Sequence, residues 1–241
     1  CGEEPPPRSC NNSSNSSSSS SGPSSTVGNP VFVNSGAKIE YATDFMTGGS
    51  LPLDVARVYK SNGNSSIAEG SYGLLGNKWR FSWERGLKVV STSQIIIVPA
   101  SGAQIPLNKD ANGVYRPSTS TGPTAKEFDI SATLLTTPVA AYEFKDEQDR
   151  IERYEQVGTV WKLKSIKERA GYTKTFTYDA SGFLTTITDT LGRTLTITFE
   201  PTLPAPATNE HRVIKQIDAP GGFRIAYNFS RALTSTSSIN Y

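Results

Sequence analysis

Few residues of this 241-residue chain could carry out chemistry, and their spacing does not favour it. His211 is the one histidine, which excludes a metal site built from several imidazoles and leaves a single imidazole base. It lies in a proline-rich stretch, and no Gly-x-Ser-x-Gly sequence supplies a nucleophilic serine. We therefore expect no hydrolase triad, no metal site and no cofactor.

A run of carboxylates is a second candidate, because two carboxyl groups can supply the acid and the nucleophile or base of a glycosidase. One of the two must be desolvated so that its pKa rises. This run also contains Lys145 and Arg150, a mixture that is typical of a solvated turn. It predicts a surface feature, and we expect no enzyme. The carboxylates are Glu143, Asp146, Glu147, Asp149 and Glu152.

Three glycines, Gly70, Gly73 and Gly76, precede Trp79 with a spacing that could suggest a phosphate-binding loop. The Lys-Ser/Thr pair that completes such a loop is missing, and no helical pattern follows to offer its N-terminus. The glycines therefore predict a turn.

The charge balance gives no indication of a nucleic-acid partner. Lys and Arg number 24 against 22 Asp and Glu, a net charge of +2. A nucleic-acid binder clusters its basic residues on one face, whereas here they alternate with acids. We expect no nucleic-acid binding.

The elements that position these residues are set by a repeat near the end of the chain. An isoleucine is followed at a constant distance by a glycine and then by an aromatic residue, in three copies, and an aliphatic residue stands three positions before each isoleucine. Such a period indicates stacked supersecondary units that cannot bury their apolar faces alone. The copies are Ile166, Gly171 and Tyr178; Ile187, Gly192 and Phe199; and Ile217, Gly222 and Phe229.

Each copy has the pattern of an antiparallel hairpin. Residues 172–179 and 193–200 alternate apolar with Thr or charged residues, as half-buried strands do. The turns Asp179–Gly182 and Asp189–Gly192 supply the residues that a tight reversal needs. Pro201 to His211 is inserted between the second and third copies, and we expect it to loop out without changing the strand order.

Residues 28–140 form a region of their own, with short apolar strands separated by Gly, Asn and Pro turns. In residues 78–84, Trp79, Phe81 and Trp83 alternate with polar residues, which predicts one aromatic and one water-facing side. The expected role of the aromatic side is a core strand. The alternative is an exposed platform for sugar rings.

Residues 1–27 form a leader rich in Ser and Asn, which cannot bury enough apolar area to order itself. Cys1 followed by this polar tract resembles the start of a mature bacterial lipoprotein, in which the first cysteine is acylated. A disulfide between Cys1 and Cys10 stays an alternative. The resemblance implies an extracytoplasmic protein held to a membrane by lipid alone, since no apolar span is long enough to cross it.

The repeat region resembles the tyrosine-aspartate (YD) repeats of Rhs proteins, through Tyr178-Asp179, Gly182 and the stretch to Gly192-Arg193. The upstream region is similar to the opening of the Rhs core. The positions that carry this second likeness are Asn29-Pro30, Asp44, Leu51-Pro-Leu53, Arg57, Tyr59, Gly73, Gly76 and Trp79. We expect structural roles at Asp44, Arg57, Tyr59, Gly73, Gly76, Trp79, Tyr178, Asp179, Gly182, Asp189, Gly192 and Arg193.

The resemblance implies an all-β fold in which antiparallel hairpins, residues 141–241, start a spiralling β-sheet shell around a cargo such as a C-terminal toxin. The chain would be the opening part of that shell and non-catalytic. Its partners would be further repeats or cargo of the same polypeptide, or a protein that caps the open sheet edge. The alternative is a lipid-anchored β-domain that binds glycan or a surface protein through Trp79, Phe81 and Trp83 or the 201–211 loop.

Overall fold

A computed structural model gives the fold, and it is built almost entirely of β-strands. The structure describes residues 31, 36–62, 74–75, 78–117, 130–200 and 214–228, and the backbone of residues 232–233 and 239–240. The strands are β1 (Ile39–Met46), β2 (Asp54–Lys60), β3 (Trp79–Phe81), β4 (Gly86–Ser91), β5 (Gln94–Val98), β6 (Ile105–Lys109), β7 (Val114–Pro117), β8 (Ser131–Leu135), β9 (Ala141–Lys145), β10 (Ile151–Val157), β11 (Val160–Lys167), β12 (Thr173–Tyr178), β13 (Leu184–Asp189), β14 (Thr194–Phe199), β15 (Ile214–Ala219), β16 (Phe223–Ala226), β17 (Ala232–Leu233) and β18 (Ile239–Asn240).

The strands form one long antiparallel sheet, a small sheet of β1, β2 and β3, and the separate pair β17–β18. Within the described residues, a short 3-10 turn at Pro220–Gly222 is the only helical element. The predicted all-β class is therefore confirmed. No helix in the part of the chain that the structure describes is long and apolar enough to cross a membrane.

The long sheet closes on itself over eight strands and then continues. Strands β4 to β11 pair in order around a ring, because β11 pairs with β10 along one edge and with β4 on the other. Only residues 161–162 of that second edge contact β4, and residues 165–167 pair with β12 instead. The sheet therefore forks at β11. We call β4–β11 the ring and β12–β16 the strip.

The strip contains the predicted hairpins. Strands β12 and β14 correspond to the two alternating segments, and Gly182 and Gly192 occupy the turns with φ of 81° and 75°. Strand β14 pairs directly with β15, so the insertion between them leaves the strand order unchanged, as predicted. In the third copy Ile217 lies in β15 and Gly222 has a φ of 79°, whereas Phe229 lies outside the described residues.

One hydrophobic core joins the strip, the ring and the small sheet. On the strip, Phe176, Ile187 and Leu195 are at most 2% exposed and point to this core. The opposite side of the strip carries exposed threonines such as Thr175 and Thr196. Alternation with a period of two produces these two unlike sides.

Two sequence predictions for residues 78–84 meet different outcomes. Phe81 and Trp83 belong to the core, as the core-strand interpretation predicted. The prediction that the other side faces water is wrong at Arg80, which is 1% exposed. Arg80 pairs across the sheet with Val58, and Val58 is buried too, so this side of the small sheet is covered at β2 and β3. Tyr41, which pairs with Val58 from the edge strand β1, is 69% exposed.

The predicted division at residues 27/28 and 140/141 stays a prediction. The leader, including Cys1 and Cys10, lies outside the described residues, as does His211. The second boundary falls between β8 and β9, which are neighbouring strands of the ring.

Candidate functional site

Tight turns hold the aspartates and glycines of the repeat motif. Asp179 and Asp189 each accept, through Oδ1, the backbone N–H of the residue four positions ahead, at 2.9 Å. Gly182 and Gly192 donate their N–H groups back to the two aspartate carbonyls. Arg193 donates from Nε to Oδ2 of Asp189 at 2.7 Å. These motif residues therefore close tight turns, and both carboxylate oxygens of Asp189 accept hydrogen bonds.

Tyr178 lies at the fork, where β11 stops pairing with β4 and has not yet begun to pair with β12. Its side chain caps the backbone of β11 at that point. Its hydroxyl donates to the carbonyl of Leu163 at 2.7 Å, a position between the parts of β11 that pair with β4 and with β12. Lys162 donates to the carbonyl of Gly182 at 2.6 Å, and the Nζ atoms of Lys162 and Lys164 lie 5.5 Å from the Tyr178 ring centroid. Burial raises the pKa of Tyr178 and lowers that of Lys162. Tyr178 thus fixes where the strip leaves the ring.

Four of the upstream motif residues meet in one cluster that also reaches the strip. Arg57 donates from Nε and Nη2 to the two carboxylate oxygens of Asp44, at 2.6 and 2.7 Å. The guanidinium lies 4.9 Å from the Trp79 ring, which contacts Tyr59 at 5.2 Å between centroids. Tyr227, which follows β16, donates its hydroxyl to Asp44 at 2.7 Å. The Tyr227 hydroxyl therefore joins the Arg57–Asp44 pair of the small sheet to the end of the strip.

The pKa of Asp44 reflects this geometry. Partial burial acts to raise it, but the hydrogen bonds from Arg57 and Tyr227 and the charge of Arg57 outweigh burial and hold the pKa below its usual value. The pKa of Tyr227 is raised by burial and by its hydrogen bond to Asp44. The cluster is thus most stable with Asp44 ionised and Tyr227 protonated.

Polar contacts join the small sheet to the start of the strip as well. Lys174 in β12 donates to Asp54 at 2.6 Å, and the Ser82 hydroxyl donates to the same carboxylate at 2.7 Å. Arg193, besides its turn, donates from Nη2 to the carbonyl of Gly48 at 3.1 Å. Polar contacts therefore join the small sheet to the strip at β12, at the turn before β14 and just after β16.

A buried cluster that the sequence analysis missed lies where the ring closes. Glu152 in β10 is 1% exposed, accepts the Tyr154 hydroxyl at 2.5 Å, and forms an ion pair with Arg85 just before β4. Burial, followed by the charge of Glu152, raises the pKa of Tyr154. Glu152 had been predicted to face water with its neighbours, which is wrong, whereas Glu147 is exposed. The signal in the sequence is that Glu152 lies two positions before the core residue Tyr154, and therefore on the same side of the strand.

A half-buried acid, Glu84, holds Leu74 against β3. It accepts the backbone N–H groups of Leu74, at 2.8 Å, and of Phe81, and burial raises its pKa. Gly73 and Gly76, which flank this position, lie outside the described residues. Arg80 donates from Nη2 to the Glu84 carbonyl, and its Nε and Nη1 atoms have no hydrogen-bond partner among the described residues.

The predicted aromatic side does not form an exposed platform. Phe81 is 0% and Trp83 is 7% exposed, and their rings stack on each other at 4.4 Å. Trp79 is half-buried under Arg57. The platform interpretation is therefore wrong, because these residues fill the core between the small sheet and the strip.

A cleft of about 210 Å³ opens where the small sheet, the ring and the strip meet. We call it the junction cleft. Its floor is formed by Leu53, Phe176, Ile187 and Leu195, and its rim by Asp54, Arg85, Arg150, Glu168 and Lys174. Among the described residues, no group of three His, Cys, Asp or Glu side chains could hold a metal ion. The chemistry available to the cleft is thus apolar contact and ion pairing.

Two family models match separate parts of the chain. A domain of unknown function, DUF6531, matches residues 28–107, which contain the small sheet and the start of the ring. The RHS Repeat matches residues 162–194, which contain the fork, Tyr178 and both Asp-Gly turns. Residues 162–194 of the chain are thus similar to the RHS Repeat.

Two curated Rhs relatives from Dickeya dadantii (strain 3937) are similar to part of this chain. They are named probable deoxyribonuclease RhsA and probable deoxyribonuclease RhsB, and each is 34% identical over 94 residues, or 37% of this chain. The matched part spans 6% of the length of each relative. The likeness therefore covers Rhs sequence in a small part of those proteins, and nothing in it shows catalysis by this chain.

Proposed function

We propose that this chain is a non-catalytic part of an Rhs shell that encloses, presents or delivers a cargo carried by the same polypeptide, such as a toxin. The observation that carries the proposal is the strip, a sheet with one apolar and one threonine-rich side that leaves a closed ring and extends hairpin by hairpin. Sheets of this kind grow by adding neighbours, because each hairpin pairs its edge with the next hairpin and so extends the shared apolar side.

The last strand of the strip supports growth by pairing. Tyr227 donates its backbone N–H to Lys215 of β15, so by strand alternation Arg224 and Ala226 direct their backbone groups to the other edge. Among the described residues no strand pairs with that edge. Natural folds cover or pair such an edge. The partner we propose is the next hairpin of the same polypeptide, and a separate capping protein is the other candidate.

Replacing Ala226 by Pro tests this proposal in the protein as its own cells produce it. Proline removes the outward N–H while leaving the pairing with β15 intact, and Ala226→Val is the matched control that keeps the donor. We expect limited proteolysis to cut the polypeptide beyond β16 faster in Ala226→Pro than in the control. Equal cleavage rates in the two variants would count against pairing at this edge.

We further propose that Cys1 is acylated and that the leader tethers the shell outside the cytoplasm. Rhs proteins generally act outside the cell or at its surface, and the Ser/Asn tract after Cys1 is similar to the start of a mature lipoprotein. The intact mass of the protein from the membrane fraction of its native cells tests the anchor. A mass that includes acyl chains supports it, and an unmodified Cys1 or a disulfide with Cys10 contradicts it.

No observation favours the alternative, a β-domain that binds glycan or a surface protein. The aromatic residues it requires at the surface are buried at Phe81 and Trp83. The 201–211 loop, its other candidate, lies outside the described residues. A shell role explains the fork and the strip, whereas a glycan-binding role explains neither.

A further inference from the structure

We propose that Phe223 and Phe45, together with the adjoining edge of β16, form a docking seat for the next hairpin of the same polypeptide. This docking role rests on the proposed shell function and deepens it, because it states what the incoming hairpin must carry. Besides pairing with the edge of β16, that hairpin has to place a large apolar side chain beside Phe223.

A row of apolar side chains crosses the strip, one from each of its five strands, and ends at Phe223. Its members lie on the same side of the sheet and beside one another across the paired strands. The first four are at most 8% exposed, whereas Phe223 is 63% exposed. Burial therefore continues across four strands and stops at the last one. The row consists of Phe176, Ile187, Leu195, Ala219 and Phe223.

The small sheet follows the strip toward this exposed position. Asp54 contacts β12, and Gly48 contacts the turn before β14. Phe45 then contacts Phe223, with the two ring centroids 5.6 Å apart. The interface between the small sheet and the strip thus reaches the last strand, where Phe45 covers a part of the Phe223 ring. A further strand with an apolar residue on the same side would continue this interface.

The Phe223 ring is already positioned for such a partner. It lies next to Gly221, where an added Cβ atom would be 3.4 Å from the ring carbon Cδ2. Gly221 has a φ of 80°, a conformation that glycine adopts readily. A ring placed between Gly221 and Phe45 loses little conformational freedom when a partner covers it, which favours binding.

Two features favour a tethered strand over other partners. Arg224 and Ala226 direct their backbone groups outward, so one incoming strand can pair with this edge and cover Phe223 at the same time. Side chains opposite each other on antiparallel strands have Cβ atoms about 4.5–5.5 Å apart, close enough for an aliphatic or aromatic residue to cover the ring. The polypeptide that follows β16 is also attached to this edge, which gives it an effective concentration that a separate protein lacks.

Photo-crosslinking in the protein as its own cells produce it tests the docking seat. A photoreactive phenylalanine analogue is placed at position 223, and the crosslinked peptides are identified by mass spectrometry. We expect crosslinks to residues of the same polypeptide that follow residue 228. The same analogue at Leu191 is the matched control, because Leu191 is 67% exposed on the turn before β14 but lies outside the row. It should not give these crosslinks.

Hydrogen exchange in the same protein measures how much the contact stabilises β16. Phe223→Ser should accelerate amide exchange in β16 about tenfold, because it removes apolar area that the next hairpin buries. Phe223→Leu keeps an apolar side chain in the row and should change exchange by less than about threefold.

Each other outcome overturns the docking role. Crosslinks from position 223 to a second copy or to a separate protein would assign the seat to that partner. Absence of crosslinks beyond residue 228, or equal exchange in Phe223→Ser and Phe223→Leu, would mean that no hairpin covers the ring. The Ala226→Pro variant separates this failure from failure of the shell function. If that variant exposes the polypeptide beyond β16 while position 223 gives no crosslinks, edge pairing stands and the docking role fails.

Discussion

The buried cluster at the closure of the ring offers the sharpest test of the structure. Replacing Glu152 by Gln keeps an acceptor for the Tyr154 hydroxyl but removes the charge that balances Arg85. The ring closes through only two residue pairs between β4 and β11, and Arg85 directly precedes β4. Removal of this charge therefore weakens the contact that holds β4 against the rest of the ring.

The size of the effect follows from burial. Removing one partner of a fully buried ion pair costs about 3–5 kcal/mol, because the other charge is left without compensation. The Arg85 side chain is 18% exposed and keeps some hydration, so we expect a loss of about 2–3 kcal/mol. For a protein of this size that corresponds to a melting temperature lower by about 4–12 °C.

Thermal and urea unfolding measure the loss, with Glu143→Gln as the matched control. Glu143 pairs with Arg153 in a half-exposed setting, and its replacement should cost less than about 1 kcal/mol. A triple variant, Arg85→Met with Glu152→Leu and Tyr154→Phe, should regain most of the stability, since an apolar replacement leaves no charge or hydroxyl unpaired. If Glu152→Gln melts within about 1 °C of the parent, or the triple variant is less stable than the single one, the reasoning is wrong.

Three further predictions concern the turns, the fork and the small sheet. Gly192→Ala should cost about 1–2 kcal/mol in urea unfolding because φ is 75° there, whereas Gly48→Ala, with neither a positive φ nor a close neighbour, should cost nothing measurable. Tyr178→Phe should cost about 1–2 kcal/mol and speed hydrogen exchange in β11, and unchanged exchange would contradict the capping role. Asp44 has a lowered pKa when folded, so its stabilisation is complete above its usual pKa of 3.8 and is lost as the pH falls through the folded value. The stability difference between the parent and Asp44→Asn should therefore shrink on acidification, and a constant difference would refute it.

Local features of the fold were predictable from the sequence because they rest on neighbouring residues. The hairpins follow from alternation with a period of two, and the turns follow from Asp179, Gly182, Asp189 and Gly192 at fixed spacing. The unchanged strand order across the insertion followed from its prolines. These predictions needed no knowledge of what lies across the core.

The ring and the junction cleft could not be predicted, because they depend on contacts between distant parts of the chain. Nothing near Leu87 indicates that it pairs with Trp161, and nothing near Asp54 indicates Lys174. The prediction for Arg80 is wrong for the same reason, since its strand alternation is correct but the structure covers both sides of β3. Glu152 is different: its alternation with Tyr154 is visible in the sequence, but the density of charges around it favours a surface turn.

The fork at β11 sets an order in which the molecule can assemble. Closing the ring requires Leu87 to pair with Trp161, which lies far along the chain. Contacts between such distant residues close a long loop and are slow to form. Each hairpin of the strip, in contrast, pairs with the strand just before it, so it can dock as soon as it leaves the ribosome or a secretion channel. We therefore expect closure of the ring to be slower than the addition of each hairpin to the strip.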